Sequence, residues 1–237
     1  MDAYLGLLRE CATALLEGHL PPPEPLKALI SKTLGYGIVA GASLLKVPQV
    51  AKVAGAGSAE GLSALTFEIE QVAYGSHMLY SSLRGLPFSA YGEVFLILIQ
   101  NFVLLGLVYY HKNASKGPVI LKLAVFLGLL FAGYSGSIPG SYIDAVYSAN
   151  ILMVISARVP QIYANAKARS TGQLSVITTG LSFLGGLARV FTSVADKAGD
   201  SMVVNFAIAS ALNATLLVQI LFYGSSRKPG KDEKKKQ

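Results

Sequence analysis

Two similar strings place cations, prolines and amides inside a strongly apolar chain. Residues 46–50 (KVPQV) and 158–162 (RVPQI) both have the order cation, Val, Pro, Gln, aliphatic, and their prolines are 112 positions apart. The similarity continues at the same offset, because residues 58–63 (SAEGLS) resemble residues 170–175 (STGQLS). A match that recurs in register over such a distance indicates a duplicated structural unit.

The proline-glutamine pairs predict a local change in two helices. Pro48 and Pro160 each lack a backbone N–H and crowd the carbonyl four residues earlier, so each predicts a kink with a freed carbonyl. Gln49 and Gln161 follow the prolines and can donate hydrogen bonds to such carbonyls. A pair of kinks would serve as a hinge between two bundles; the alternative is a static bend or a helix end.

Asn101 and Asn213 occupy equivalent positions in the two copies. Each lies about 11–12 residues into an apolar helix, roughly 17 Å deep, and therefore near the bilayer centre. The two amides could bind a polar head group between the halves. The alternative is a hydrogen bond between helices, which in membranes contributes about 0.6 kcal/mol.

Glu70 is a carboxylate about 12 Å deep in its predicted helix. An ionisable group at such a depth needs protein, water or a partner around it. His77 lies one heptad further along the same face, and Arg189 occupies the repeat position of His77, so either could form an ion pair with Glu70. The pair would couple proton movement or lock two bundles together. Glu68, nearer the helix start, is expected to reach water.

Lys46 and Arg158 precede the two prolines at equivalent positions. Two cations at one mouth of a pathway would suit an anionic head group such as a phosphate. The simpler interpretation, which position alone favours, is that both side chains extend to the membrane interface.

The composition predicts an all-α membrane protein. Hydrophobic residues make up 52% of the chain and charged residues 14%, whereas soluble domains have roughly 25% charged residues. Apolar windows of about the length needed to cross a bilayer recur seven times. They cover about residues 32–53, 62–83, 89–111, 118–137, 142–165, 174–195 and 202–224.

The duplication predicts how seven transmembrane helices are organised. We expect an N-terminal segment (1–30), a three-helix repeat (31–112), a linker helix (113–140), a second three-helix repeat (141–224) and a basic tail (225–237). One extra crossing between the copies gives them the same orientation, as two parallel bundles in a 3+1+3 order. Substrate would then lie between the halves near the midplane; the alternative is an old duplication kept only for packing.

The charges predict the orientation. Much of the net charge of +7 lies in the tail. Lys and Arg concentrate on the cytosolic side, which places the C-terminus in the cytosol and the N-terminus on the opposite side. The sequon at Asn113 then falls in a cytosolic loop and should stay unglycosylated. Basic residues that are concentrated in a tail and in alternate loops do not indicate a nucleic-acid-binding surface.

An enzyme active site is not expected. The sequence has no nucleophile elbow, no phosphate-binding glycine loop and no paired carboxylates at glycosidase spacing. Cys11 is the single cysteine, and the three histidines lack metal-ligand spacing. We therefore expect neither a metal nor a cofactor.

The paired strings resemble those of the PQ-loop repeat proteins, a seven-helix group akin to the SWEET sugar transporters and the cystinosin-like exporters. Within that group the chain resembles the mannose-P-dolichol utilisation defect protein family. The strings that carry this narrower resemblance are GIVAG (37–41), KVPQV (46–50), SAEGLS (58–63), TGQLS (171–175), LARVFTS (187–193) and LFY (221–223).

The resemblance implies a multi-pass protein of the endoplasmic reticulum membrane with a lumenal N-terminus. Such proteins are needed for lumenal glycosyltransferases to use dolichol-phosphate-linked mannose and glucose in N-glycan, GPI-anchor and protein mannosylation. The final KKKQ (234–237) also resembles a dilysine retrieval signal. Implied partners are membrane lipid, dolichol-phosphate-linked sugars and the lumenal glycosyltransferases. Two alternatives remain: a small-solute transporter for sugar or amino acid, and a non-transporting receptor or chaperone-like scaffold.

Overall fold

The computed structural model describes residues 2–172 and 174–223, with side chains from Tyr4 onward. Within these residues the chain forms nine α-helices, and the all-α class predicted from the sequence is confirmed. In chain order they are α1 (Asp2–Leu16), α2 (Pro23–Ala42), α3 (Val47–Ala56), α4 (Ala64–Leu83), α5 (Phe88–His111), α6 (Lys116–Tyr134), α7 (Gly140–Ala168), α8 (Val176–Ala195) and α9 (Asp200–Tyr223). The predicted basic tail at 225–237 lies outside the described residues.

Five helical segments in the described part of the chain are long and apolar enough to cross a membrane. They are Pro23–Ala56, which contains both α2 and α3, and the four helices α5, α6, α8 and α9. Helices α4 and α7 are also long, with 20 and 29 residues, but they are more polar. The chain is therefore a multi-pass membrane protein. Seven crossings in a 3+1+3 order remain a prediction.

The first membrane helix begins earlier than the sequence predicts. The apolar window starts near residue 32, yet α2 begins at Pro23, with prolines in its first turn. Proline is tolerated there because the first N–H groups of a helix have no intrahelical partner. Helix α1 packs on α2, where Tyr4 and Tyr36 meet edge to face with ring centroids 5.6 Å apart.

Contacts divide the chain into two compact units, and the larger contains residues 2–148 and 191–201 of the described chain. Within it α5 packs against α2, α3 and α4, and α4 also packs against α6. The core between α3, α4 and α5 contains Val53, Phe67, Leu104 and Val108, which are all at most 5% exposed. Helix α5 is therefore the element on which the first repeat is assembled.

The chain breaks its helix before the first proline instead of bending through it. Helix α2 ends at Ala42 and α3 begins at Val47, so Pro48 lies in the first turn of a new helix. The predicted kink is therefore wrong at Pro48, because a proline at a helix start has no hydrogen bond to lose. Pro160 differs, since it lies inside the continuous helix α7.

A glycine allows α2 to approach α5 closely. A Cβ added to Gly35 would lie 2.5 Å from the carbonyl oxygen of Ser89. Such a distance is below any normal contact, so only glycine fits at this position. Gly37 and Gly41 on the same helix would meet nothing within 4 Å. Of these three glycines on α2, Gly35 is therefore the one that makes a close contact.

A polar network closes one end of the larger unit. Arg84, just after α4, donates two hydrogen bonds to Asp144, at 2.7 and 2.9 Å, and its guanidinium lies 3.9 Å from the centre of the Tyr80 ring. The hydrogen bond to Asp144 raises the pKa of Arg84 above its ordinary value. Tyr80 donates to the carbonyl of Ala198 at 3.1 Å. These contacts join the end of α4 to α7 and to the connection before α9.

The second unit contains residues 149–190 and 202–223 of the described chain. Helices α8 and α9 approach closely at Gly186, where an added Cβ would lie 3.0 Å from the Cβ of Ser210. Helices α7 and α9 are joined by Asn165, whose Nδ2 donates to Oε1 of Gln219 at 3.0 Å. Leu216 and Ile220 complete the buried face of α9.

Candidate functional site

Lys46 is held at the break between α2 and α3. It is the residue before α3, and its backbone N–H donates to Oε1 of Gln100 at 2.8 Å. Nε2 of Gln100 donates in turn to the carbonyl of Ala42 at 2.9 Å. A break inside an apolar segment leaves backbone groups without partners, and this α5 side chain satisfies one on each side of it. The break consequently points Lys46 inward.

The side chain of Lys46 is buried and paired. Lys46 is 8% exposed. Its Nζ forms an ion pair with Oε2 of Glu70 and donates to Oδ1 of Asn101 at 2.8 Å. The ammonium also lies 5.2 Å from the centre of the Phe67 ring and 5.5 Å from that of Tyr74. A buried ammonium requires such a charged partner and further acceptors around it.

Asn101 is the centre of this arrangement. It is 0% exposed. Its Nδ2 donates to the carbonyl of Phe67 at 2.9 Å and to Oε1 of Gln71 at 2.7 Å, while its Oδ1 accepts from Lys46. We call Lys46, Glu70, Gln71 and Asn101 the Lys46 cluster. It gathers a cation, a carboxylate and two amides inside the first repeat.

Glu70 has a partner that the sequence did not suggest, because the break before α3 carries Lys46 inward to α4. The expected extension of Lys46 to the interface is wrong, since its side chain is buried. His77 lies against the ring of Tyr147, with centroids 5.0 Å apart. Arg189 is 4% exposed and belongs to the second unit.

The electrostatics of the cluster depend on a balanced pair. The side chain of Lys46 is 10% exposed and that of Glu70 is 27% exposed, so both charges have lost most of their water. Removing one member of such a pair leaves an uncompensated charge and costs about 3–5 kcal/mol. An anion that enters the cluster must therefore replace the carboxylate at Lys46, and a proton on Glu70 would release Lys46 in the same way.

The second repeat does not reproduce the cluster. At the offset of 112 residues, Arg158 corresponds to Lys46, but Ser182 and Phe183 stand where the first repeat has Glu70 and Gln71. Arg158 is half-buried and has no ion-pair partner in the part of the chain that the structure describes. The duplicated sequence therefore supports different chemistry in its two copies.

The two asparagines also differ in their partners. Asn213 is 8% exposed, and its Oδ1 has no hydrogen-bond partner within residues 2–172 and 174–223. Asn101, in contrast, uses both ends of its amide in the Lys46 cluster. The two asparagines that were predicted as a matched pair of head-group ligands therefore differ. The amide of Asn101 has hydrogen-bond partners, whereas the Oδ1 of Asn213 has none within the described residues.

The motif glutamines do not bind the backbone near the prolines. Gln49 and Gln161 are half-buried and make no side-chain hydrogen bond within the described ranges. Glutamines from the third helix of each repeat perform that role instead. Gln100 binds both sides of the first break, and Gln219 donates to the carbonyl of Ile162, beside Pro160, at 2.9 Å. The sequence signal for these residues is a lone glutamine in an otherwise apolar helix.

Glu68 also has partners that the sequence did not suggest. Lys122 on α6 donates to both of its carboxylate oxygens, at 2.8 and 2.9 Å. Tyr109 on α5 donates to Oε1 at 2.7 Å. The expectation that Glu68 simply reaches water is therefore wrong. We call these three residues the Glu68 cluster.

No three His, Cys, Asp or Glu side chains in the described ranges are grouped so that they could hold a metal ion. The Lys46 cluster can bind and release a polar or anionic ligand. It offers a cation for an anionic group, a carboxylate that can accept hydroxyl hydrogen bonds or a proton, and amides that bind either kind of polar atom.

Comparison with known proteins supports the duplication. The family model described as "PQ loop repeat" matches residues 30–90 and, separately, residues 142–202. The two matches begin 112 positions apart, which is the offset between the two prolines. Similarity extends to Solute carrier family 66 member 3 of Homo sapiens, which is 26% identical over 179 residues. That alignment covers 76% of this chain and 87% of the relative.

Proposed function

The chain belongs to the PQ-loop repeat family, and from that premise we propose that it binds dolichol-phosphate-linked mannose and glucose in the endoplasmic reticulum membrane. It would translocate or present these lipids to lumenal glycosyltransferases, without catalysing a reaction itself. The observation that carries the proposal is the Lys46 cluster. Lys46, Glu70 and Asn101 are three of the residues that we expect to bind the head group, and they converge from three separate parts of the first repeat.

Each member of the cluster suits one part of such a head group. The Lys46 ammonium matches the single negative charge of the phosphodiester. Glu70 and Asn101 match sugar hydroxyls, since a carboxylate accepts hydrogen bonds and an amide both donates and accepts them. The carboxylate of Glu70 forms an ion pair with Lys46 in the structure, so a phosphate that binds Lys46 must displace this carboxylate. The displaced Glu70 then becomes available to the sugar.

The finer features of the proposal come from sequence. The strings SAEGLS (58–63) and LARVFTS (187–193) support the dolichol-linked substrate through the family that they resemble. The KKKQ terminus (234–237) supports the endoplasmic reticulum and a cytosolic C-terminus. The polyprenyl chain of the substrate would stay in the hydrocarbon while the head enters the polar cluster.

Reconstitution tests the proposal. The purified full-length chain is placed in liposomes with a fluorescent dolichol-phosphate-mannose analogue, and its movement between leaflets is followed. We expect faster movement with the wild type than with protein-free vesicles, and loss of that acceleration in Asn101→Leu. The absence of both movement and saturable binding of the analogue would refute the proposal.

A second candidate function is a small-solute transporter in which Glu70 couples transport to protons. The ion pair with Lys46 supports this alternative, because protonation of Glu70 would break it. The similarity to a protein named as a solute carrier supports it as well. Uptake of radiolabelled free sugars or amino acids by the same liposomes, driven by a pH gradient, would favour this candidate. If the analogue binds but neither lipid nor solute moves, a receptor or scaffold role is favoured.

A further inference from the structure

A long apolar groove lies between α4, α5 and α6 in the first unit. It has a volume of about 490 Å³, which is within the usual range of about 300–1,000 Å³ for ligand sites. Its walls include Val72, Phe102, Leu105, Val125 and Leu129. Because these helices lie in a membrane protein, the occupant of an apolar groove is hydrocarbon and not water.

A second, smaller groove continues along the same helix. It has a volume of about 150 Å³ and shares Val72, Phe126 and Leu129 with the first. The lining of the two grooves follows α4 from Glu68 to Leu79, a length of about 16 Å at ~1.5 Å per residue. An apolar space of this length and small volume fits a single extended chain better than the paired chains of a glycerophospholipid.

The polar residues of the groove are gathered at one end. They are the three members of the Glu68 cluster together with Gln71. The remaining lining residues of the first groove are apolar or glycine. The second groove adds Tyr142 and Ser76, whose hydroxyl donates to the carbonyl of Ala73. A groove with this distribution matches an amphiphile whose head group lies at the Glu68 end and whose chain extends along α4.

Gln71 is the most informative of these residues. It is 4% exposed, and its Nε2 has no hydrogen-bond partner in the part of the chain that the structure describes. Leaving a buried donor unpaired is unfavourable, so an acceptor oxygen is needed beside it. Its Oε1 accepts from Asn101. Gln71 therefore belongs both to the groove wall and to the Lys46 cluster.

We propose that the groove binds the chain of a polyisoprenyl phosphate, with a phosphate oxygen accepting from Nε2 of Gln71 and Lys122 supplying the cation on the groove side. The identity of this lipid rests on the proposed function. The side chain of Lys122 is 54% exposed, so it is free to turn from Glu68 toward the phosphate. A sugar attached to that phosphate lies toward Asn101 and Glu70, the two residues assigned to the sugar above, and Lys46 remains the cation on the cluster side.

Gly106 allows the groove to be blocked with little risk to the fold. It lines the groove, and a Cβ added there meets nothing within 4 Å. Gly128 on α6 is a matched control, because an added Cβ is equally free there but the residue does not line either groove. The two variants are Gly106→Leu and Gly128→Leu.

The test uses the full-length chain in phosphatidylcholine nanodiscs and a polyisoprenyl phosphate with a photoreactive group on its chain. We expect crosslinks on α4, α5 and α6 at the groove. Gly106→Leu should weaken binding by roughly tenfold, equivalent to about 1.4 kcal/mol, while Gly128→Leu binds as the wild type does. Crosslinks elsewhere, or equal binding by both variants, would overturn the inference.

Competition identifies the occupant. Unlabelled polyisoprenyl phosphate should displace the probe, whereas a diacyl phosphatidic acid or inorganic phosphate should not. Gln71→Leu should reduce the preference for the phosphate over the corresponding polyisoprenol by roughly tenfold, as expected for a lost hydrogen bond to a charged group. Equal displacement of the probe by phosphatidic acid would mean that ordinary bilayer lipid occupies the groove. Displacement by inorganic phosphate alone would mean that no chain is bound. Either result contradicts the proposal.

Different results would refute the groove proposal and the proposed function. Crosslinks in the groove without handling of the sugar-linked lipid support the groove and reject the proposed function. Movement of the dolichol-phosphate-mannose analogue that is unaffected by Gly106→Leu supports the function and rejects the groove.

Discussion

The buried ammonium of Lys46 has lost most of its water and contacts a carboxylate, an amide oxygen and two aromatic rings instead. The ammonium can be buried only because the opposite charge of Glu70 lies beside it. Buried pairs of this kind contribute little net stability, but they are costly to break from one side. The cluster is therefore suited to a site whose contacts are exchanged during function.

A double-mutant cycle tests the coupling of the two charges. Lys46→Leu should lower the free energy of unfolding by about 3 kcal/mol, the lower end of the range for a buried pair, because Glu70 keeps 27% exposure. Lys46→Leu with Glu70→Leu should recover most of that loss, since no charge is left unpaired. The measurement is denaturant unfolding in detergent micelles. Additive losses would show that the two side chains are not coupled.

The two asparagines should respond differently to the same substitution. Asn101→Leu removes one acceptor from Lys46, which keeps Glu70, and removes the donor to Oε1 of Gln71. It should cost about 1–3 kcal/mol of unfolding free energy. Asn213→Leu removes an acceptor that is already unsatisfied, so its cost should be below about 1 kcal/mol. Thermal unfolding of both purified variants checks the difference. Comparable losses would mean that Asn213 has a partner of similar value.

At the scale of elements, the two proline motifs have separate structures. The first lies where one helix ends and another begins, and the second lies inside a 29-residue helix. A hinge that uses both must therefore use a break between two helices in one repeat and a continuous helix in the other. The sequence alone suggests equal kinks, because it does not show whether a helix continues before a proline.

Substituting each proline by alanine separates these cases. Pro160→Ala adds an N–H inside α7, which should raise amide protection around residues 156–160 and stabilise the helix by up to about 3 kcal/mol. Pro48→Ala lies in a first turn, where the N–H has no intrahelical partner, so protection there should not change. Hydrogen exchange followed by mass spectrometry reports both. Equal gains at both sites would contradict the helix break.

Glycines on α2 provide a second test at this scale. Gly35→Ala forces a Cβ against the Ser89 backbone and should cost about 1–3 kcal/mol. Gly37→Ala enters open space and should be neutral or stabilising by up to about 1 kcal/mol. Unfolding midpoints of the two variants give the comparison. A neutral Gly35→Ala would show that α2 and α5 are not held this closely.

At the scale of the whole molecule, the orientation in the membrane can be tested through glycosylation. Asn113 lies in the connection between α5 and α6, with a positive φ of 50°, and we expect it to stay unmodified in cells because that loop faces the cytosol. The control is a new sequon made by Glu17→Asn with His19→Thr, in a segment expected in the lumen. Endoglycosidase-sensitive shifts on a gel distinguish the two. A glycan on Asn113 would reverse the orientation.

The sequence predicts the class and the duplication but not the site geometry. Lys46, Glu70 and Asn101 can each be identified as an unusual polar residue in an apolar segment. Their convergence cannot, because it depends on the break after Ala42 and on the rotation of three helices about their axes. Gln100 escapes notice for the same reason, since its partners are backbone groups that only the break leaves open.

The amide of Gln71 joins two sites by one hydrogen bond to Asn101. If occupancy of the groove raises the affinity of the Lys46 cluster for a head group by some factor, then a head group in the cluster must raise the affinity for the groove occupant by that same factor. The two sites would then fill and empty together.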